Sequence, residues 1–348
     1  YYAALLNNQP MGFYAPHVLI GDARRHGLRV LRVAINRSGI TCTPSDGQIL
    51  LGLTTVRGLG EELAGAIVAE RVAHGPYRSL ADLLRRSALP RPLAERLIAV
   101  GALADFGLSR RELLWQLGLL IPRPSAERGA PRVGRKPPSA LHSRRATRKP
   151  QLSLELPTEQ DMVHLTDMND WERMVADYGL LGLSPSYHPL GLLRERLPSD
   201  VLTHAQLKAT RDGQRVRTAG LVVCRQRPGT AKGFLFMLLE DETGLTNVVV
   251  RPDLYEAERS VVRGEPYVVV EGTVQLRSDT LNLLATSIAP LAQVPGLLLP
   301  RPAMQHAYPG ASSDPHEQPT PEAVEPGPAP SPELEPLRLA TPASHDFH

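Results

Sequence analysis

The spacing of apolar residues changes period along this chain, and the changes divide it. In GLTTVRGLGEELAGAIVAE, residues 52–70, two apolar runs flank Gly58 and Gly60. The run after the glycines has helical spacing, with Leu63 and Ile67 on one row and Ala64, Val68 and Val72 on another. Helical spacing extends from Val56 to Leu120. Ser79 and Asp82 have capping-box spacing ahead of Leu83 and Leu84. Pro90 and Pro92 break the next helix, which is predicted over Leu93–Val100 and stops at Gly101. Upstream, residues 1–46 mix short helices and loops. Asp22 to His26 form the polar face of a helix closed by Gly27, residues 28–36 look extended, and Asp46–Gly47 is a turn. Helix returns near Asp170–Tyr178. After Asp212–Gly213 the period shortens to two. Strands are predicted near 215–226, 233–240, 245–250, 266–276 and 280–288, with turns at Asp241–Gly244 and Ser278–Asp279. A short helix, Asp253–Ser260, falls between the third and fourth strands.

Two glycines one residue apart between helical runs are the pattern of a helix-hairpin-helix. Glycine permits the tight turn and a close approach of backbone to a partner. The unpaired N–H groups that open the following helix suit an anion, in this motif a DNA phosphate. A plain helical hairpin with a glycine turn gives the same pattern. The helix pair around LPRP, residues 89–92, reads as a degenerate partner of the first, with Arg85, Arg86, Arg91 and Arg96 near it. Five short strands with a helix after the third suggest an OB-fold, a small barrel that often binds single-stranded nucleic acid. The fold class is multidomain α+β: a helical module with a helix-hairpin-helix, followed by a five-stranded OB-fold barrel.

At 348 residues the chain has room for two or three domains. The formal net charge is only +3, but it is unevenly placed. Residues 123–149 hold nine arginines and lysines against one acid, Glu127. The stretch after Pro300 is acidic, with Glu317, Glu322, Glu325, Glu333 and Glu335. The basic block fits either a polyanionic partner or a solvated linker. Both segments are rich in proline and read as disordered. Cys42 and Cys224 lie far apart, so neither a disulfide framework nor paired metal-ligand spacing is present, and a reducing compartment fits. No stretch has the length and apolarity of a membrane span, and no signal peptide opens the chain, so a cytoplasmic location is expected.

The barrel's binding case rests on its first long loop, where Arg225, Arg227 and Lys232 flank RPGTAKG, residues 227–233. Such a loop lines a groove that tracks a phosphate backbone. Phe234, Phe236, Tyr255 and Tyr267 are candidate base-stacking platforms. Core packing is the stronger reading for Phe234 and Phe236, because their strand is apolar on both faces. Glu240, Asp241 and Glu242 sit in a turn, where adjacent carboxylates are usually solvated rather than metal-bound. His17, His26, His74 and His188 are isolated, and neither a P-loop nor a nucleophile elbow appears. QLSLEL, residues 151–156, is a short linear motif. Gln151, Leu152, Leu154 and Leu156 fit a surface groove of a partner or of the chain's own domains.

These pieces, in this order, resemble the C-terminal part of the α subunit of bacterial DNA polymerase III, and most closely its error-prone, damage-inducible paralogue. LLNNQPMGFYAP and DARRHG, residues 5–16 and 22–27, look like the end of that family's fingers region. GLTTVRGLGEE looks like its helix-hairpin-helix, and AVGALADFG and RRELLWQLG, residues 99–107 and 110–118, like the segment that follows. ADYGLLGLSPSYHPL, residues 176–190, resembles the connector, and RQRPGTAKGFLFMLLEDETGLTNVVVRPDLYE, residues 225–256, the OB-fold. The resemblance divides the chain into a fingers remnant (1–46), a helix-hairpin-helix module (47–120), a basic linker (121–165), a helical connector (166–212), the OB-fold (213–292) and an acidic tail (293–348). The first residue is Tyr, and the opening reads as mid-helix, so a fragment of a longer protein is expected. The resemblance implies a parent DNA-directed polymerase for lesion bypass, whose palm carboxylates hold magnesium outside this chain. No catalytic residue, metal ligand or cofactor is carried over. DNA handling is carried over, through Arg57, Gly58, Leu59 and Gly60 on duplex phosphates and through Arg225, Arg227 and Lys232 on a single strand. QLSLEL resembles a sliding-clamp-binding hexapeptide, with Leu156 where an aromatic is common, and damage-response accessory proteins are further expected partners. The replicative α subunit and a stand-alone DNA-binding adaptor are the alternatives.

Overall fold

The computed structural model describes residues 1–11, 14–121, 164–277, 280–295 and 297, and the backbone of 345–347. Most of the basic linker, the hexapeptide 151–156, the Ser278–Asp279 turn and most of the acidic tail lie outside the described residues.

The helical half opens with α1 (Tyr2–Asn7) and α2 (Pro16–Arg25), the latter started by proline and closed by Gly27 at φ +81°. A small sheet follows, built from β1 (Arg29–Leu31), β2 (Thr43–Ser45) and β3 (Gln48–Leu50) in the order β1-β3-β2. Asp46 and Gly47 both adopt positive φ in the β2–β3 turn, as a two-residue hairpin requires. Four helices come next: α3 (Glu61–His74), α4 (Leu80–Ser87), α5 (Arg91–Ala99) and α6 (Arg110–Leu120). Ser79 accepts from the Asp82 N–H and caps α4, while Ser109 and Glu112 form a reciprocal capping box on α6. One core runs from Ala3 through Ile35, Leu51, Ile67, Leu83, Leu97 and Leu103 to Leu183.

Helix α7 (Asp170–Leu181) is apolar on two sides. Ala176, Leu180 and Leu181 join that helical core, while Trp171, Met174 and Tyr178 enter a second core shared with the barrel. The i, i+3, i+7 spacing of the second set places it on one row of the helix. Then come α8 (Pro189–Leu193), β4 (Val201–Leu202) and α9 (His204–Lys208). The barrel strands are β5 (Arg215–Gln226), β6 (Leu235–Glu240), β7 (Leu245–Val250), β8 (Tyr267–Arg277) and β9 (Thr280–Pro290). They pair in the order β5-β6-β7-β9-β8, and β8 closes back onto β5. The β7–β9 pair is parallel and the other barrel pairs are antiparallel. Between β7 and β8 the expected helix is present as two short pieces, α10 (Pro252–Ala257) and α11 (Arg259–Gly264). A short β10 (His345–Phe347) runs parallel to the end of β5. Among the described residues, no helix is long and apolar enough to cross a membrane.

Helix α2 lies on the outside of the barrel. Ala15 and Val18 pack on Val223 and Leu245. Gly21 makes room there for the Glu240 carboxylate, since a Cβ would stand 2.5 Å from it and force it to shift. Glu240 is buried, 3.6 Å from Arg25 and 3.8 Å from His17. Desolvation outweighs the attraction of Arg25 and lifts its carboxyl from 4.5 to about 7. Desolvation also acts on the half-buried His188 and pushes its imidazole down to about 3. The two shifts act oppositely on stability. A raised carboxyl stabilises the fold at low pH and loses that contribution as pH rises through about 7. A depressed imidazole has the reverse slope below its ordinary value.

Glu240→Gln isolates the first effect, because His188 titrates in both proteins. Urea melts at about pH 5 and about pH 7.5 should show the variant gaining roughly 2 kcal/mol on the native chain over that interval. An equal pH dependence in both would mean that Glu240 stays ionised.

Candidate nucleic-acid interface

The hairpin loop is held from beneath by Val56 and Leu59, both buried, which leaves Arg57, Gly58 and Gly60 exposed. The arm before it is a single 3-10 turn, Leu53–Thr55, and not a full helix. The two glycines differ. Gly58 is left-handed at φ +82°, whereas Gly60 is extended at φ −68°, caps α3 and has open space around it. A Cβ on Gly58 would overlap the Arg96 guanidinium. Arg96 Nη1 donates to the Arg57 carbonyl at 2.5 Å, and the Arg57 N–H donates to the Leu180 carbonyl of α7 at 2.8 Å. The loop is therefore clamped, and its cations are Arg57 and Arg96. Glu61 and Glu62 occupy the first turn of α3 and oppose an anion there. On α3 the expected core rows hold at Ala64 and Ile67, but Val72 is 78% exposed.

The second hairpin differs from the sequence reading. LPRP joins α4 to α5, yet α5 packs against α6 across Gly101–Gly107. Gly101 repeats the geometry of Gly58, with φ +77° and an arginine guanidinium, that of Arg110, where a Cβ would stand. Arg110 is buried and donates to the Ala99 carbonyl at 2.6 Å, so this turn is filled from within. Arg86 and Arg91 are likewise engaged, with Glu70 and Asp82 and with Glu95.

On the barrel, strand register sorts the outward side chains into two rows. One row is Cys224, Leu238, Asn247, Asn282 and Gln275, and the other is Gln226, Phe236, Val249, Leu284 and Thr273. Helix α2 covers the neighbouring outer positions Glu240 and Leu245, while these two rows are left half-buried to exposed. Phe236 is 41% exposed, which corrects the core assignment. Its strand is apolar on both sides because Phe236 and Leu238 face outward while Leu235, Met237 and Leu239 enter the core. Phe234 is half-buried, and Tyr255 and Tyr267 are buried and cannot stack on a base.

Arg225 is not a phosphate contact. It is 6% exposed, and its guanidinium donates to the carbonyls of Val262 and Glu265 at 2.6 Å each, tying β5 to the end of α11. Arg227 and Lys232 do lie on the exposed loop. Arg227 stacks over the Tyr255 ring at 4.4 Å and lies 3.7 Å from Glu256. Lys232 is exposed in a left-handed conformation at the loop tip. The three turn acids have separate structural tasks. Glu240 faces α2, Asp241 accepts from the His204 N–H of α9 at 2.5 Å, and Glu242 makes a two-bond pair with Arg194. Among the described residues, no group of three His, Cys, Asp or Glu side chains is placed to hold a metal ion.

Two substitution pairs separate structure from binding. Gly58→Ser should destabilise the chain by about 1–2 kcal/mol through its left-handed backbone, with Gly60→Ser within about 0.5 kcal/mol of native. Equal melts for the two would contradict the assigned backbone. Arg225→Ala should destabilise by roughly 2–3 kcal/mol by stranding the buried Val262 carbonyl and the half-buried Glu265 carbonyl, while Lys232→Ala leaves the melt unchanged. A stable Arg225→Ala protein would free that residue for a role in binding.

Residues 27–113 match the family model described as a helix-hairpin-helix motif, and residues 216–291 match the OB-fold nucleic acid binding domain. The error-prone DNA polymerase 2 of Rhizobium meliloti is 39% identical over 298 residues, covering 83% of this chain and 26% of its own length. The error-prone DNA polymerase of Burkholderia pseudomallei is 40% identical over 301 residues, covering 81% and 25%. The chain thus spans about a quarter of the length of the curated relatives it matches. Among solved structures, asparaginyl-tRNA synthetase from Pyrococcus horikoshii is similar at 22% identity over 26% of this chain and 23% of that one, with a TM-score of 0.24. Identity of 39–40% through four fifths of the chain, with both modules in place, makes this chain a homologue of the error-prone DNA polymerases over about a quarter of their length.

Proposed function

We propose that this chain is the DNA-handling segment of an error-prone polymerase acting in damage-induced translesion synthesis. The observation that carries the reading is the presence, in one chain, of an exposed hairpin loop with two cations and a barrel with an open outer face. The loop suits duplex phosphates. The N–H groups around Gly58 and Gly60 are presented by a clamped backbone, and the Arg57 and Arg96 guanidiniums add charge. The barrel suits a single strand, with Phe236 as a stacking platform and Arg227 and Lys232 beside the backbone track. Catalysis belongs to other parts of the relatives' length. The adjacent carboxylates Glu240 to Glu242 serve α2, α9 and Arg194. In this reading Gln151, Leu152, Leu154 and Leu156 engage a sliding clamp, and accessory proteins recruit the enzyme in the cytoplasm.

Fluorescence anisotropy against single-stranded, blunt duplex and primer–template DNA across a salt series tests the proposal. Binding should weaken with salt. Arg227→Ala with Lys232→Ala should flatten the single-strand log–log slope by about 0.7 for each phosphate no longer neutralised. Arg57→Ala with Arg96→Ala should weaken duplex binding selectively. Absence of binding at low salt would overturn the reading.

A further inference from the structure

The open face of the barrel holds three side-chain amides in one line. Register pairs Asn247 on β7 with Asn282 on β9, and Asn282 with Gln275 on β8. Side chains of paired residues point to the same side of a sheet, so the three amides stand on neighbouring strands of the outer face. The inward positions confirm the sense, since Val248, Val274, Leu281 and Leu283 are core. Asn247 is exposed, and Asn282 and Gln275 are half-buried. Among the described residues none of the three amides has a hydrogen-bond partner, although amides on the same chain, such as Asn7 and Asn36, do. Phe236 stands in the adjacent row, one strand from Asn247.

We infer that this line of amides reads the bases of a single strand lying across the barrel. The inference rests on the proposed function and adds the ligand chemistry to it. Each primary amide offers donors and an acceptor side by side, the arrangement that pairs with a base edge. An aromatic platform alone is indifferent to sequence, because every base has a π-face. The five residues of the amide row, with Cys224 and Leu238 completing it, carry no charge. Two cations near this face are engaged elsewhere, Arg227 with Tyr255 and Glu256 and Arg251 with Asp253, while Arg215 and Arg277 stand exposed on its β5–β8 side, paired with Thr273 and Thr280. These last two cations suit the backbone, while the middle of the face offers stacking and hydrogen bonding, and the amides make binding selective among bases.

The test is anisotropy of the full chain with short dT, dA and dC homopolymers at fixed salt. The native chain should discriminate among them by about tenfold or more. Single Asn247→Ala, Asn282→Ala and Gln275→Ala variants should compress that spread towards unity, with unchanged thermal melts. Phe236→Ala should instead weaken all three homopolymers by a similar factor, about 5- to 100-fold. A native chain with no spread, or amide variants that weaken every homopolymer equally, would overturn base reading while leaving single-strand binding in place. No binding to any homopolymer would remove the underlying reading as well.

Discussion

Helix α7 is the element on which the arrangement of both halves depends. Its Asp177 is fully buried, 2.9 and 3.0 Å from Arg32 Nη1 and 2.9 Å from the Ser184 hydroxyl. Desolvation raises its carboxyl despite these partners and the nearby Arg110. A carboxylate in that position is tolerable only with its donors in place, and they tie α7 to the segment just after β1 and to the 184–187 turn. From that fixed point the helix sends Leu180 and Leu181 one way and Trp171, Met174 and Tyr178 the other. Its last turn also supplies the carbonyl that takes the Arg57 N–H, so the hairpin loop is held by the same helix that packs on the barrel.

The second constraint is the seat of α2 on the barrel. OB-type barrels have an outer face that belongs either to solvent and ligand or to a neighbouring element. Here the face is divided. At the Glu240–Leu245 end, Gly21 lets α2 approach closely and the surface becomes interior. Beyond it, Phe236, Asn247 and Val249 are left uncovered. The open part is thus defined by a helix far upstream in the chain, and its middle is apolar and amide, with the cations Arg215 and Arg277 at its β5–β8 side.

This explains which parts of the molecule were legible in the sequence. The five barrel strands were, because period-two patterning and Asp–Gly turns are local signals. The hairpin was, because its glycines lie one residue apart. The site was only partly so. Phe236 reads as core because β6 carries apolar side chains on its open outer face, Phe236 and Leu238, as well as on its inner one. Arg225 reads as a phosphate contact because nothing in sequence announces that the carbonyl end of α11 will take its guanidinium. Arg96 belongs to the hairpin loop through a bond to Arg57 that spans 39 positions. The misread positions are those settled by partners distant in sequence, and the correct ones are settled by neighbours.

The arginines show how one residue type divides between the two purposes. Arg32, Arg110 and Arg225 each place a guanidinium on buried oxygen atoms at a junction between elements. Arg57 and Lys232 stand on exposed loops. Arg96 does both, since it fixes the Arg57 carbonyl from a partly exposed position beside the hairpin. Guanidinium suits the first task because its planar fork satisfies several acceptors at once without losing charge. Counting basic residues therefore overstates the electrostatic reach of this chain towards DNA. What remains for recognition is a small set of loop cations and a barrel face whose middle is apolar and amide, with Arg215 and Arg277 exposed at its β5–β8 side, a division in which charge positions the backbone and the face contacts the bases.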